Sequence, residues 1–145
     1  MTHTFELTRK WMGGLCGSGL FETKTVESHF SVPKPFGGEG QGTNPEDLLL
    51  SAASTCFLMT LGIALTFRKI TFASVCLKSI AHLDTDGRNF RLTKIEHFPV
   101  VLLASGETGK ALEAIRAAEK NCLVANALRG NVEIIVKSKV EVVRA

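Results

Sequence analysis

Between Asp47 and Arg68 lie 20 residues without a charge, Leu48 to Phe67. A helix of that length is long enough to cross a bilayer, and no other stretch of the chain constrains the fold as strongly. Ser51, Ser54, Thr55, Thr60 and Thr66 dilute its apolarity. Its flanks have the pattern of ordinary globular strands and helices, so a membrane span is set aside. What remains is a central helix that is apolar all round and therefore buried all round. The 145 residues fit a single domain, 1–145, with no linker or repeat to divide it. One domain of this size struggles to enclose such a helix. A second copy of the chain would complete the cover, and a homodimer is expected.

The start of the helix is written in the sequence. In "GTNPEDLLLSAASTCF" Asn44 is a natural N-cap, Pro45 suits the first helical position, and Glu46 and Asp47 favour the positive end of the dipole. Glu46 is explained by that placement alone, or else by chemistry. Along the helix Leu49, Ala52, Ala53, Cys56, Met59, Thr60 and Ile63 recur on one stripe, which sets Cys56 on a face with small residues. Cys56 on that stripe is either a small core hydrophobe or a reactive thiol among small neighbours.

Strands are expected before the helix. "TFELTRKW" alternates, "GGLCGSG" reads as a turn or bulge, and "LFETKTVESHFSV" holds a second strand and a third. "PKPFGGEGQGTNP" reads as a loop. After the helix, "TFASVCLKSIAHL" is a strand with Ala73, Val75, Leu77, Ala81 and Leu83 on one face and Cys76 as a bystander on the other. "DTDGR" is a hairpin turn, and "NFRLTKIEHFPVVLLA" returns. His82 and His97 are read as rim residues, neighbours across that hairpin. Residues 108–128 are helical in pattern, Gly130 is a stop, and "NVEIIVKSKVEVV" closes the chain as one half-solvated antiparallel strand. The fold class is α+β, with antiparallel sheets packed on the long central helix.

Composition removes several functions. A net charge of +3, with no cluster of basic residues interleaved with aromatics, excludes a nucleic-acid surface. Cys16, Cys56, Cys76 and Cys122 lie far apart, with no C-x-x-C and no histidine at zinc spacing, so no zinc site is expected. No secretory pattern opens the chain, and the expected compartment is the reducing cytoplasm.

Two segments carry a resemblance. "GTNPEDLLLSAASTCF" is followed, 66 residues after its cysteine, by "EKNCLVANALRGNVEI". The pair resembles the OsmC/Ohr family of thiol peroxidases in its N-P-E, in a cysteine ten residues beyond that glutamate, and in a second cysteine leading to R-G-N. The "W-x-G-G" and "P-K…G-G" segments match as well. The resemblance implies an intertwined α+β homodimer with active sites at the subunit interface. It implies that Cys56 attacks an organic or fatty-acid hydroperoxide, that Cys122 resolves the sulfenic acid as an intrachain disulfide, and that a dithiol restores both. In some members that dithiol is a dihydrolipoyl group, and the resemblance implies that no metal or organic cofactor is required. Glu46 is the matched acidic residue. The family arginine that follows the glycine pair is replaced by Leu15. Lys34, Arg9 and Arg129 are the candidate substitutes for its charge, and Cys16 beside Leu15 is a candidate third thiol. A second reading stays open on that replacement: the same fold and pocket binding an apolar ligand or another electrophile, with weak peroxidase turnover.

Overall fold

The computed structural model describes residues 1–143, apart from the side chain of Phe21. The chain forms two compact units, one ending at Leu48 and one starting at Leu49.

In the first unit β1 (Lys10–Met12), β2 (Ser18–Glu22) and β3 (Glu27–Ser31) make an antiparallel sheet in that order. The strand expected from Thr4 forms only at Lys10, and Phe5 and Leu7 stay exposed. Trp11, Gly19 and Phe30 pair in one row across the sheet. A Cβ on Gly19 would lie 2.3 Å from the Phe30 ring. The missing side chain therefore lets that ring lie over Gly19 and reach Trp11, 5.5 Å between centroids, an aromatic cover for a bare strand position. The proline- and glycine-rich loop holds one 3-10 turn, Lys34–Phe36. It is pinned by the buried Ser31, whose Oγ donates to the Gln41 carbonyl and accepts from the Gln41 amide at 2.8 and 2.6 Å.

Helix α1, Pro45–Phe67, forms where the sequence places it. Asn44 Oδ1 accepts from the Asp47 amide at 2.8 Å, and Asn44 Nδ2 donates to the Asp47 carboxylate at the same distance. Cap and first-turn acid thus satisfy each other.

In the second unit β4 (Phe72–Thr85) and β5 (Phe90–Leu103) form a long hairpin, closed by the Asp86 carboxylate, which accepts from the Arg88 and Asn89 amides. Helices α2 (Thr108–Asn121) and α3 (Leu123–Leu128) follow, then β6 (Glu133–Val136) and β7 (Lys139–Val142). Phe57, Leu61 and Leu65 of α1 share one core with Val101 and Leu103 of β5 and Ala111, Ala114, Ile115 and Ala118 of α2. Val75, Leu77 and Ala81 of β4 face the core as expected. Ala73 is exposed instead, because a register shift between Phe72 and Ser74 turns Phe72 inward.

Three expectations change. The closing segment is two short strands, not one, and both run parallel to β5. The α2–α3 crossover brings the chain back to the end of β5 from which that strand began, which makes parallel pairing the natural outcome. The break between β6 and β7 falls beside Phe98 and Pro99, which pair with neither strand; a proline nitrogen has no proton for a ladder. α1, expected to be buried all round, buries one stripe, Ala53, Phe57, Leu61, Ala64 and Leu65, and leaves Met59, Ile63 and Phe67 exposed at 64%, 54% and 82%. A helix apolar on every side carries no periodic signal to say which face turns inward. Last, His97 is a core residue at 1% exposure. Its Nδ1 lies 2.7 Å from Ser79 Oγ and its ring stacks on Phe57 at 5.1 Å. His82 pairs with Glu96 at 2.7 Å, so the two histidines are not neighbours.

Candidate active site

Cys56 sits on the fourth turn of α1, at the edge of the buried stripe. It packs on the core with one side open. Cys122 is the residue between α2 and α3. Its backbone is extended, φ −64° and ψ 114°, its amide donates to the Ala118 carbonyl at 2.9 Å and its carbonyl accepts from the Asn126 amide at 2.9 Å. One residue thus closes α2 and opens α3, and its thiol is fully buried.

This elbow brings the start of α3 onto Cys56. Burial pushes the Cys56 thiol up, but the Val124 amide, the Cys122 thiol, the Leu123 amide and the Thr60 hydroxyl favour the thiolate and together set its pKa below the ordinary thiol value. The first amides of a helix have no partner inside it and are free to point at an anion. The Thr60 hydroxyl has one proton, and it donates that proton to the Cys56 carbonyl at 2.8 Å. The amides and the second thiol therefore carry the effect. Cys122 moves the other way. Burial pushes it up; the Ala125 amide lowers it in part, and the Cys56 sulfur beside it raises it further. The pair has one thiol inclined to ionise and one inclined to keep its proton and donate it.

The mouth of the site is an apolar depression of about 530 Å³ lined by Ser51, Ala52, Thr55, Cys56, Met59, Thr60, Ile63 and Leu123. Small residues toward the start of α1 leave the sulfur accessible, and Met59 and Ile63 supply the apolar wall.

Of the other predicted residues, Glu46 is half-buried in the first turn of α1, and its Oε2 is buried without a hydrogen-bond partner. Lys34 is exposed on the 3-10 turn. Leu15 and Cys16 are exposed in the β1–β2 turn. Arg9 donates to the Glu22 carbonyl at 2.8 Å and lines a cavity with Phe30, Asn44, Pro45 and Leu48, so it is Arg9 that stands beside the first turn of α1. Arg129 turns away from the thiols: its guanidinium donates to Asn126 Oδ1 at 2.7 Å and to the Glu119 carbonyl. Cys76 is exposed on the outer face of β4. The α3 amides were missed in the sequence because backbone donors have no residue type to betray them. The short helix after the second cysteine was their one visible sign.

The profile of OsmC-like proteins matches residues 38–137, from the loop before α1 to the end of β6. The uncharacterized Bacillus subtilis protein YmaD is 29% identical over 143 residues, 96% of this chain and 95% of that one. A Staphylococcus epidermidis protein named organic hydroperoxide resistance protein-like 2 is 29% identical over 126 residues, 84% of this chain and 86% of that one. A crystal structure of an organic hydroperoxide resistance protein OsmC from Legionella pneumophila superposes with a TM-score of 0.77 at 24% identity, over 96% of this chain and all of that one. The matched segment holds N-P-E, the cysteine on α1, the cysteine at the α2–α3 elbow and R-G-N, on an α+β fold shared with the solved structures, and the chain belongs to the OsmC-like family.

Proposed function

We propose that the protein is a cysteine-based peroxidase that reduces organic hydroperoxides to alcohols, working as a cytoplasmic homodimer in the response to oxidative stress. The observation that carries this reading is the thiol pair itself, Cys56 inclined to ionise and Cys122 beside it inclined to hold its proton. A peroxidase of this kind needs that division of roles. The Cys56 thiolate attacks the terminal oxygen of the hydroperoxide, the O–O bond breaks, and the alkoxide leaves as alcohol after taking a proton. Cys56 is left as sulfenic acid. The Cys122 sulfur then displaces that hydroxyl as water and a disulfide forms. A dithiol, of the lipoyl type or another, returns both sulfurs to thiols by exchange and is itself oxidised to a disulfide. The apolar wall of Met59 and Ile63 favours alkyl hydroperoxides over hydrogen peroxide. No step calls for a metal or an organic cofactor.

The test is consumption of cumene hydroperoxide and of hydrogen peroxide by the reduced protein with a dithiol present. Faster loss of cumene hydroperoxide, abolished by Cys56→Ser, is expected. Equal and negligible loss of both peroxides, with Cys56 still open to alkylation, would give the site to the second reading, a pocket for an apolar ligand or another electrophile.

A further inference from the structure

The R-G-N segment has no part in the chemistry above, yet its arginine is held in a network of three hydrogen bonds, two of them its own. Asn126 Nδ2 donates to the Lys120 carbonyl at 3.1 Å. Arg129 donates to the Glu119 carbonyl and, at 2.7 Å, to Asn126 Oδ1. Glu119 and Lys120 belong to the last turn of α2, whose carbonyls have no partner within the helix and carry its negative pole. Asn126 and Arg129 lie in α3 and directly after it. The three hydrogen bonds therefore make a closed bridge from α3 back to α2. The only chain it spans is the elbow at Cys122. From that elbow the Leu123 and Val124 amides and the Cys122 thiol reach Cys56.

We propose that Arg129 and Asn126 are positioning residues: they latch the α2–α3 elbow, and so hold the Leu123 and Val124 amides and the Cys122 thiol against Cys56. α3 has six residues, too few to be stable as a free helix; it buries Ala125 fully and packs Val124 and Leu128 on the core with part of each exposed. Its orientation therefore depends on that small contact and on what ties its two ends. At the front it is continuous with Cys122; at the back it is held by this latch. Where an arginine in contact with the thiol would stabilise a thiolate by charge, this arginine acts one step removed, by fixing the backbone donors. The inference rests on the proposed function only in naming Cys56 as the reacting thiol, and its test does not require peroxidase turnover.

The test uses the full chain with Cys16→Ser and Cys76→Ser, leaving the two thiols of the site. The pH dependence of Cys56 alkylation by monobromobimane is compared in this background, in Arg129→Gln, in Arg129→Lys and in Asn126→Ala. Closure of the Cys56–Cys122 disulfide by diamide, a two-electron oxidant of thiol pairs, is followed in the same set. Arg129→Gln and Asn126→Ala are expected to move the alkylation profile to higher pH and slow alkylation at neutral pH about twofold to tenfold, the range spanned by one hydrogen bond. Disulfide closure slows in parallel. Arg129→Lys, which keeps one donor but loses the fork, falls between. A merely structural role would lower the melting temperature and leave both readings in place. Should Arg129→Gln fail to fold, Asn126→Ala decides by the same readings, since it removes two of the three bonds. Profiles and closure rates that coincide with the background in folded variants would overturn the latch, whether or not the protein reduces peroxides.

Discussion

At Cys56 burial and hydrogen bonding oppose each other, and the donors prevail. The sequence shows the thiol, its partner and the absence of the arginine after the glycine pair, and from these it expects another cation, Lys34, Arg9 or Arg129, in the arginine's place. The approach of α3 answers that need with backbone amides. The expected outcome with cumene hydroperoxide is a disulfide joining Cys56 and Cys122, found by peptide mapping. In Cys122→Ser, Cys56 should stop at sulfenic acid and pass on to sulfinic acid with excess peroxide; a wild type with Cys56 only over-oxidised and Cys122 still free would remove the resolving role. His97 was legible only as a histidine in a strand. Its burial came from the phase of β5, which alternation around Pro99 did not reveal. Burial lowers its pKa, so the folded state favours the neutral ring. That contribution to stability is complete above the unfolded value of about 6.5 and is lost as pH falls from there toward the folded value. His97→Phe keeps a ring against Phe57 and has nothing to protonate. Its melting temperature should fall less steeply with acid than that of the wild type, and parallel curves would refute the assignment.

At the scale of elements, α1 was read almost to the residue because its ends are chemical signals, while its orientation was not readable at all. Asn44, Pro45 and the two acids announce a start whatever the helix packs against. The choice of Phe57 over Cys56 for the deepest row depends on β5 and α2, and nothing in a uniformly apolar run records it. The parallel β6 and β7 escaped for a related reason: alternation shows a strand but not its direction, which the crossover through α2 decides. The cap itself is testable. Asn44→Ala removes the acceptor for the Asp47 amide, and a loss of about 1 kcal/mol in unfolding free energy is expected. Denaturant titration would measure it. No loss would mean that water or another group replaces the cap.

For the whole molecule, the open face of α1 is the feature that a single chain leaves unfinished. Met59, Ile63 and Phe67 are exposed on it, with Ser51, Ala52 and Thr55 alongside, small enough for a second helix to come close. Glu46 and Cys56 are ten residues apart, a rise of about 15 Å along one helix, too far for the acid to touch the thiol of its own chain through the helix alone. A twofold contact in which α1 crosses its antiparallel copy near Ser51, the midpoint, sets Glu46 of each chain opposite Cys56 of the other. The acid would then belong to the thiol's site only in the dimer. This arrangement predicts complementation. Glu46→Gln and Cys56→Ser homodimers are each expected to be impaired, since each lacks one partner at both sites. In a mixed dimer one site has lost both residues and the other has both. Equal mixtures refolded together should therefore recover about a quarter of wild-type peroxide reduction, half of the dimers being mixed and each having one intact site of two. Differently tagged subunits, purified on both tags, would confirm that mixed dimers are present. Mixed dimers no more active than the Glu46→Gln homodimer would show that Glu46 serves its own chain, as a first-turn acid and nothing more.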